Sequence, residues 1–250
     1  YQQALKYYKQ GLDLRTQLDD TAKQAESMSN VAYMHFLLGD YSLADIYWNQ
    51  ALNQFERIND QVHLMRTHQN LALMSMVKGD RRAAAKHLIK VDTNISPSQT
   101  QEQMINQLFY SYLNFAQGKL TEATRNVNEA HKLAETSNDS RALIEVYLWH
   151  GEMCLRIADW QCLANQLSVV EPLVSDDMLE YATVFGWLSN ALALEVGQVD
   201  RSELQPFIDN LPLGQIPLTV ELKVLLDLQE RLRLSPTSKL MTRANELAKP

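Results

Sequence analysis

Few side chains in this 250-residue chain have the type and spacing that chemistry needs. Six histidines stand at 35, 63, 68, 87, 131 and 150, and no pair shows a metal-binding i, i+4 spacing with a carboxylate partner. His63 and His68, five residues apart, fall on different faces of a helix. His35 and His150 occupy apolar-face positions, where a packed histidine with one satisfied nitrogen is the simpler reading. Cys154 and Cys162 are too few for a disulfide framework and lack partners at zinc spacing. They lie four residues either side of Ala158, so an antiparallel hairpin turning there would set them opposite each other. A disulfide requires Cα atoms within about 7 Å, and the plainer reading is two small buried hydrophobes. Glu145 and Glu152 share a helix at i, i+7, but nothing pairs with them as an acid and a base would. They read as solvated or peptide-facing charges. Gly118-Lys119 lacks the upstream glycine and the following Ser/Thr of a phosphate loop. The expectation is a protein that is not an enzyme, with no cofactor and no metal.

Composition points the same way. Lys and Arg number 23 against 30 Asp and Glu, a net charge of −7, so no basic face is available to neutralise phosphates and direct nucleic-acid contact is not expected. Apolar residues make up 46% of the chain, enough for a real core, while 8 Gly and 7 Pro are few for a turn-rich β fold. No stretch approaches the roughly 18 uninterrupted apolar residues of a membrane span. Two cysteines and an acidic balance fit a cytoplasmic setting better than a periplasmic one, which stays open as the alternative.

What must position any functional residue is a repeat. Gly39-Asp40, Gly79-Asp80, Gly118-Lys119, Ala158-Asp159 and Gly197-Gln198 recur at steps of 39 or 40 residues, each between two helix-periodic segments. Before the first of these, Met28, Val31, Ala32, His35 and Leu38 make one face of a helix; after it, Ala44, Trp48, Ala51 and Phe55 make another. Glycine suits the join because it adopts the left-handed C-cap conformation without a Cβ clash. Asp40, Asp80 and Asp159 are expected N-caps. Small residues at Ala44, Ala84 and Ala123 would let paired helices approach, with Trp48, Leu88 and Val127 filling the space one turn later. Ser98 and Gln101 have capping-box spacing and predict a helix start there.

On these residues the chain resembles the tetratricopeptide repeat family. Ala32, Gly39, Tyr41, Ala44, Trp48 and Ala51 stand on signature positions. Leu71, Ala72, Gly79, Ala84 and Leu88 repeat them, and then Gly118, Ala123, Ala130, Gly151, Asp159, Trp160 and, weakly, Gly197. The period exceeds the family's usual ~34, which is similar to the long-repeat branch of kinesin light chains and bacterial peptide-sensing regulators. The resemblance implies an all-α, right-handed superhelical solenoid of antiparallel hairpins over residues 1–200. Its units lie near 25–63, 64–103, 104–140, 141–180 and 181–202. Ala4, Tyr8 and Gly11 match a second helix with no first helix before it, the mark of a piece of a longer polypeptide. A second copy could cover the apolar repeat face this leaves. Residues 203–250, interrupted by Pro206, Pro212 and Pro217, are expected to cap the last repeat with helices at 218–234 and 240–247.

Function then falls to the concave face lined by first helices. The expected lining is Asn30, Tyr33 and Phe36; Arg66, Gln69, Asn70 and Leu73; Tyr112 and Phe115; Glu152 and Arg156; and Trp187. Apolar and aromatic groups with a few placed polar ones suit a bound peptide or helix. Family members that hold extended peptides use a first-helix Asn before the apolar signature residue; Asn30-Val31-Ala32 and Asn70-Leu71-Ala72 match. Units three to five carry Phe109, Trp149 and Leu188 there. The Lys/Asn clamp for a terminal carboxylate is absent, since Ser29, Tyr33, Gln69 and Leu73 occupy its positions. The expectation is a protein- or peptide-binding scaffold, the sensing or docking module of a larger regulator. The alternative is a regulatory domain whose superhelix responds to a small signalling ligand.

Overall fold

The computed structural model describes residues 1–232. All of the regular structure among them is helical: α1 (Gln2–Gln17), α2 (Thr21–Leu37), α3 (Tyr41–Ile58), α4 (Gln61–Val77), α5 (Arg81–Asp92), α6 (Thr100–Ala116) and α7 (Leu120–Thr136) come first. They are followed by α8 (Ser140–Arg156), α9 (Trp160–Val170), α10 (Leu179–Glu195), a 3-10 turn at Arg201–Leu204, α11 (Gln205–Asp209) and α12 (Leu218–Leu232). Contacts divide the chain into two compact units, Tyr1–Asn138 and the residues from Asp139 onward. Each is a stack of antiparallel helix pairs: α2 with α3, α4 with α5 and α6 with α7 in the first, α8 with α9 in the second.

The forty-residue repeat divides into halves of about twenty. Gly39, Gly79, Gly118 and Gly197 all have positive φ, and Ala158 takes the same conformation at +57°. Asp19, Asn59 and Asn138, at the joins between hairpins, are left-handed as well. A helix of 17 or 18 residues followed by a three-residue left-handed turn is therefore the structural quantum over most of the chain. Asp and Asn tolerate that turn because their short polar side chains bond locally, which is why glycine marks only every second one. The period lapses after α5 and α9, which have 12 and 11 residues and lead into longer connections.

Caps follow the same logic. Asp80 and Asp159 accept from the backbone N–H of Ala83 and Cys162, and Asp20, Asp60 and Asp139 do likewise for α2, α4 and α8. Asp40 departs from expectation: its carboxylate meets His35 Nδ1 at 3.0 Å instead of a backbone N–H. The capping box expected at Ser98 and Gln101 does not form. The N-cap of α6 is Gln99, whose side-chain oxygen accepts from Ser96 N.

Small residues mark the helix crossings. Ala44, Ala84 and Ala123 are fully buried, and so are Trp48, Leu88 and Val127. In α9 a Leu163 stands where the earlier second helices have alanine, and the facing residue of α8 is Gly151. A Cβ at Gly151 would lie 3.3 Å from Leu163 Cδ1, so the volume removed from one helix is the volume added to the other.

The C-terminal segment returns to the preceding helices as α12. α12 packs on α10 and reaches α8 through Lys223 and Glu152, with Val220, Val224 and Leu228 in one cluster with Leu148, Val184, Trp187 and Leu188. The helix expected over 240–247, and the end of that expected to reach 234, lie outside the described residues.

Candidate functional site

In the first unit α4 packs against both α2 and α6, so the three first helices form a contiguous face. That face carries Asn30 and Tyr33 from α2, Arg66, Asn70 and Leu73 from α4, and Tyr112 and Phe115 from α6. Asn30, Tyr33, Arg66 and Tyr112 are exposed, while Asn70, Leu73 and Phe115 are half-buried. Tyr33 and Tyr112 keep 42% and 40% of their surface open, unusually large aromatic exposure for a helix packed on both sides. Arg66 is held in place by Glu102 of α6, with its Nη2 2.8 Å and its Nε 3.2 Å from Oε1. Gln69 Nε2 donates to the Glu102 carbonyl at 2.8 Å. One glutamate thus fastens α6 to α4 through both its side chain and its backbone.

Two expected lining residues of this unit are interior. Phe36 is 3% exposed and packs between Tyr41 and Trp48. Gln69 is 4% exposed, spent on the α4–α6 contact just described. At about 100° per residue, Phe36 and Gln69 stand about 60° around the helix from the exposed Tyr33 and Arg66 three residues earlier, enough to enter the helix interface.

The second unit treats its first-helix face differently. Glu152, expected as a peptide-facing charge, is buried, accepting from Lys223 Nζ at 2.6 Å and from Arg156 Nη2 at 3.1 Å. Trp187, expected to line a groove, is fully buried. Its Nε1 donates to Asp227 at 2.6 Å, and Lys223 Nζ lies 5.5 Å from its ring centroid. Arg231 donates to Asp227 at 2.6 Å and also pairs with Glu195. Glu152 of α8 and Trp187 and Glu195 of α10 are thus all tied to α12. Glu152 and Trp187, expected to line a groove, instead face α12 through Lys223 and Asp227. Only Arg156 of that set stays exposed. A charge pattern on α12 (Lys223, Asp227, Arg231, each four apart) is the signal that could have revealed the match.

Several titratable groups are perturbed. His68 Nδ1 and His87 Nδ1 are 3.1 Å apart. Burial, then the neighbouring His87 and Lys90, lowers His68 to about 4. Burial also lowers His87, with Asp45 opposing. In the second unit Glu145 is crowded by protein and repelled by Glu180 and Asp139, which raises it to about 7. Part of its surface nonetheless remains open to water, and screening there moderates the effect.

The α8–α9 hairpin brings together three groups that the spacing in sequence kept apart. Cys154 and Cys162 are paired as a disulfide with Cα atoms 5.7 Å apart, so the opposed placement about Ala158 is realised and the reading as two unlinked hydrophobes is not. His150 joins them, with Nε2 3.8 Å from Cys162 Sγ. The overlooked signal is the i, i+4 step from His150 to Cys154.

No family model matches the chain, and no curated protein matches it either. Among solved structures it is similar to that titled "Crystal structure of BtubC (BKLC) from P. vanneervenii", at 14% identity and a TM-score of 0.52, over 99% of this chain and 87% of that one. At that identity the likeness concerns the fold, and with the hairpin stacks above it establishes an all-α helical-repeat solenoid.

Proposed function

We propose that this chain is a non-catalytic protein- or peptide-binding scaffold of the long-repeat tetratricopeptide type, acting as the sensing or docking module of a larger regulatory protein. The partner lies on the α2–α4–α6 face. The observation that carries this reading is the exposed strip of Tyr33, Arg66 and Tyr112 with the amides of Asn30 and Asn70 beside them. Tyrosine and arginine supply large contact area with directional bonds, the residue types that dominate binding energy at interfaces. An amide offers one acceptor and two donors, enough to pair with an extended backbone. Arg66 is preorganised by Glu102, which reduces the side-chain ordering that binding would otherwise require. Among the described residues no helix is long and apolar enough to cross a membrane.

The test is a displayed peptide library panned on the purified chain, followed by affinity measurement of the enriched peptides. Asn70→Ala/Tyr112→Ala should weaken them at least about tenfold, a loss of roughly 1.4 kcal/mol. Arg125→Ala, on exposed surface of α7, should leave them unchanged. Peptides that bind both variants equally would remove the face from consideration.

A further inference from the structure

We propose that in its dithiol state the α8–α9 hairpin binds one Zn²⁺ through Cys154 Sγ, Cys162 Sγ and His150 Nε2. The geometry is built by elements already described. His150 and Cys154 stand one turn apart on the same face of α8. Cys162 is carried to that face by the left-handed turn at Ala158, and its backbone N–H is fixed 2.9 Å from the Asp159 cap. The three ligand atoms lie within 4.8 Å of one another. Zinc bonds of about 2.3 Å to sulfur and 2.0 Å to nitrogen place tetrahedral ligands about 3.5–3.8 Å apart. The 3.8 Å between His150 Nε2 and Cys162 Sγ already meets that spacing.

The chemistry of the donors agrees. Two thiolates and an imidazole are a borderline-soft set that suits zinc better than magnesium or calcium. Cys154 is buried, whereas His150 and Cys162 retain contact with solvent, which provides an entry path. Three protein ligands leave a fourth position for water or a ligand from outside.

The disulfide and the metal form exclude each other, because both use the same two sulfurs. A thiol or phosphine reductant donates two electrons, and two protons are taken up, as the S–S bond breaks into two thiols and the reductant is oxidised. Zinc then displaces both thiol protons to solvent and takes two thiolates.

The experiment uses the whole chain, stripped of metal and reduced without oxygen, titrated with Co²⁺ as an optical probe and then with Zn²⁺ against a chromophoric chelator. One equivalent of Co²⁺ should bind with a thiolate-to-cobalt charge-transfer band, and Zn²⁺ should displace it. Loss of a direct ligand exceeds the 10–100-fold typical of outer partners, so Cys162→Ser and His150→Ala should each weaken Zn²⁺ binding by at least about a hundredfold. The disulfide form should bind none. Circular dichroism of Cys162→Ser, altered at a partly exposed site, confirms that the variant folds. Reduced wild type that holds no more metal than Cys162→Ser overturns the proposal and leaves the pair a disulfide only.

Discussion

The two units use equivalent faces of equivalent helices for opposite ends. In residues 1–138 the first-helix face is left open, and the Arg66–Glu102 pair, with its arginine half in water, lies between neighbouring repeats. In the second unit the matching face is covered by α12, and Glu152, Trp187, Lys223, Asp227 and Arg231 form a connected polar chain beneath it. The same positional rule therefore gives an exposed face in the first unit and a core in the second, where the chain folds back. Burial changes the energetics with the role. An exposed pair contributes up to about 1 kcal/mol, whereas breaking a buried one strands a desolvated charge.

The sharpest way to break this comparison is to remove the acid from each unit. Glu152→Ala leaves Lys223 without its carboxylate and should cost about 3 kcal/mol in denaturant unfolding. Glu102→Ala, whose partner Arg66 is half in water, should cost about 1 kcal/mol. Equal losses would show that α12 does not hold the second face closed.

Two of the buried tryptophans, Trp187 and Trp48, sharpen it further. Trp187 Nε1 donates to Asp227, while Trp48 Nε1 has no hydrogen-bond partner although its side chain is fully buried. Trp187→Phe should therefore destabilise more than Trp48→Phe by about 1–2 kcal/mol, since only the former loses a charge-assisted bond. Thermal unfolding of both variants checks the order.

The turns offer a smaller and opposite pair. Gly79 has φ +75° with open space where a Cβ would stand, so Gly79→Ala should cost about 1 kcal/mol from conformation alone. Ala158, already at φ +57°, should gain about as much on Ala158→Gly. Matching denaturation midpoints for either variant and wild type would contradict the left-handed turn assignment.

Acidity should weaken the first unit, while the second holds groups that pull in opposite directions. His68 is lowered to about 4 from its ordinary 6.5. Its contribution to stability is present above pH 6.5 and lost as pH falls towards 4. Glu145 is raised to about 7 from 4.5. Its contribution is present below pH 4.5 and lost as pH rises through 7. Between pH 7 and 5, amide exchange should quicken in α4 and α5, which carry His68 and His87. Unchanged exchange there would sink the assignment.

How much of this was legible in the chain differs from residue to residue. Ala44, Trp48, Ala84, Leu88, Ala123 and Val127 declared their burial, because small and large residues at fixed helical steps have one economical packing. Phe36 and Gln69 misled, because a first helix presents residues to a groove and to its neighbours at adjacent angles, and only the crossing geometry decides which. Asn59 and Asn138 stand in polar breaks that mark the joins, but their left-handed conformation, like that of Asp19, carries no glycine signature.

Periodicity alone determined the helix pairs, their length and their joins, because those depend on local sterics and on the spacing of apolar groups. Tertiary structure decided what lies against them: α12 across Glu152 and Trp187, Arg66 against Glu102, and His150 beside the two cysteines. Those contacts join residues up to 71 positions apart in the chain, and Glu152 with Lys223 is the widest of them. No local pattern encodes such a meeting. It follows from how the turns aim each helix, and that direction exists only once the helices have packed.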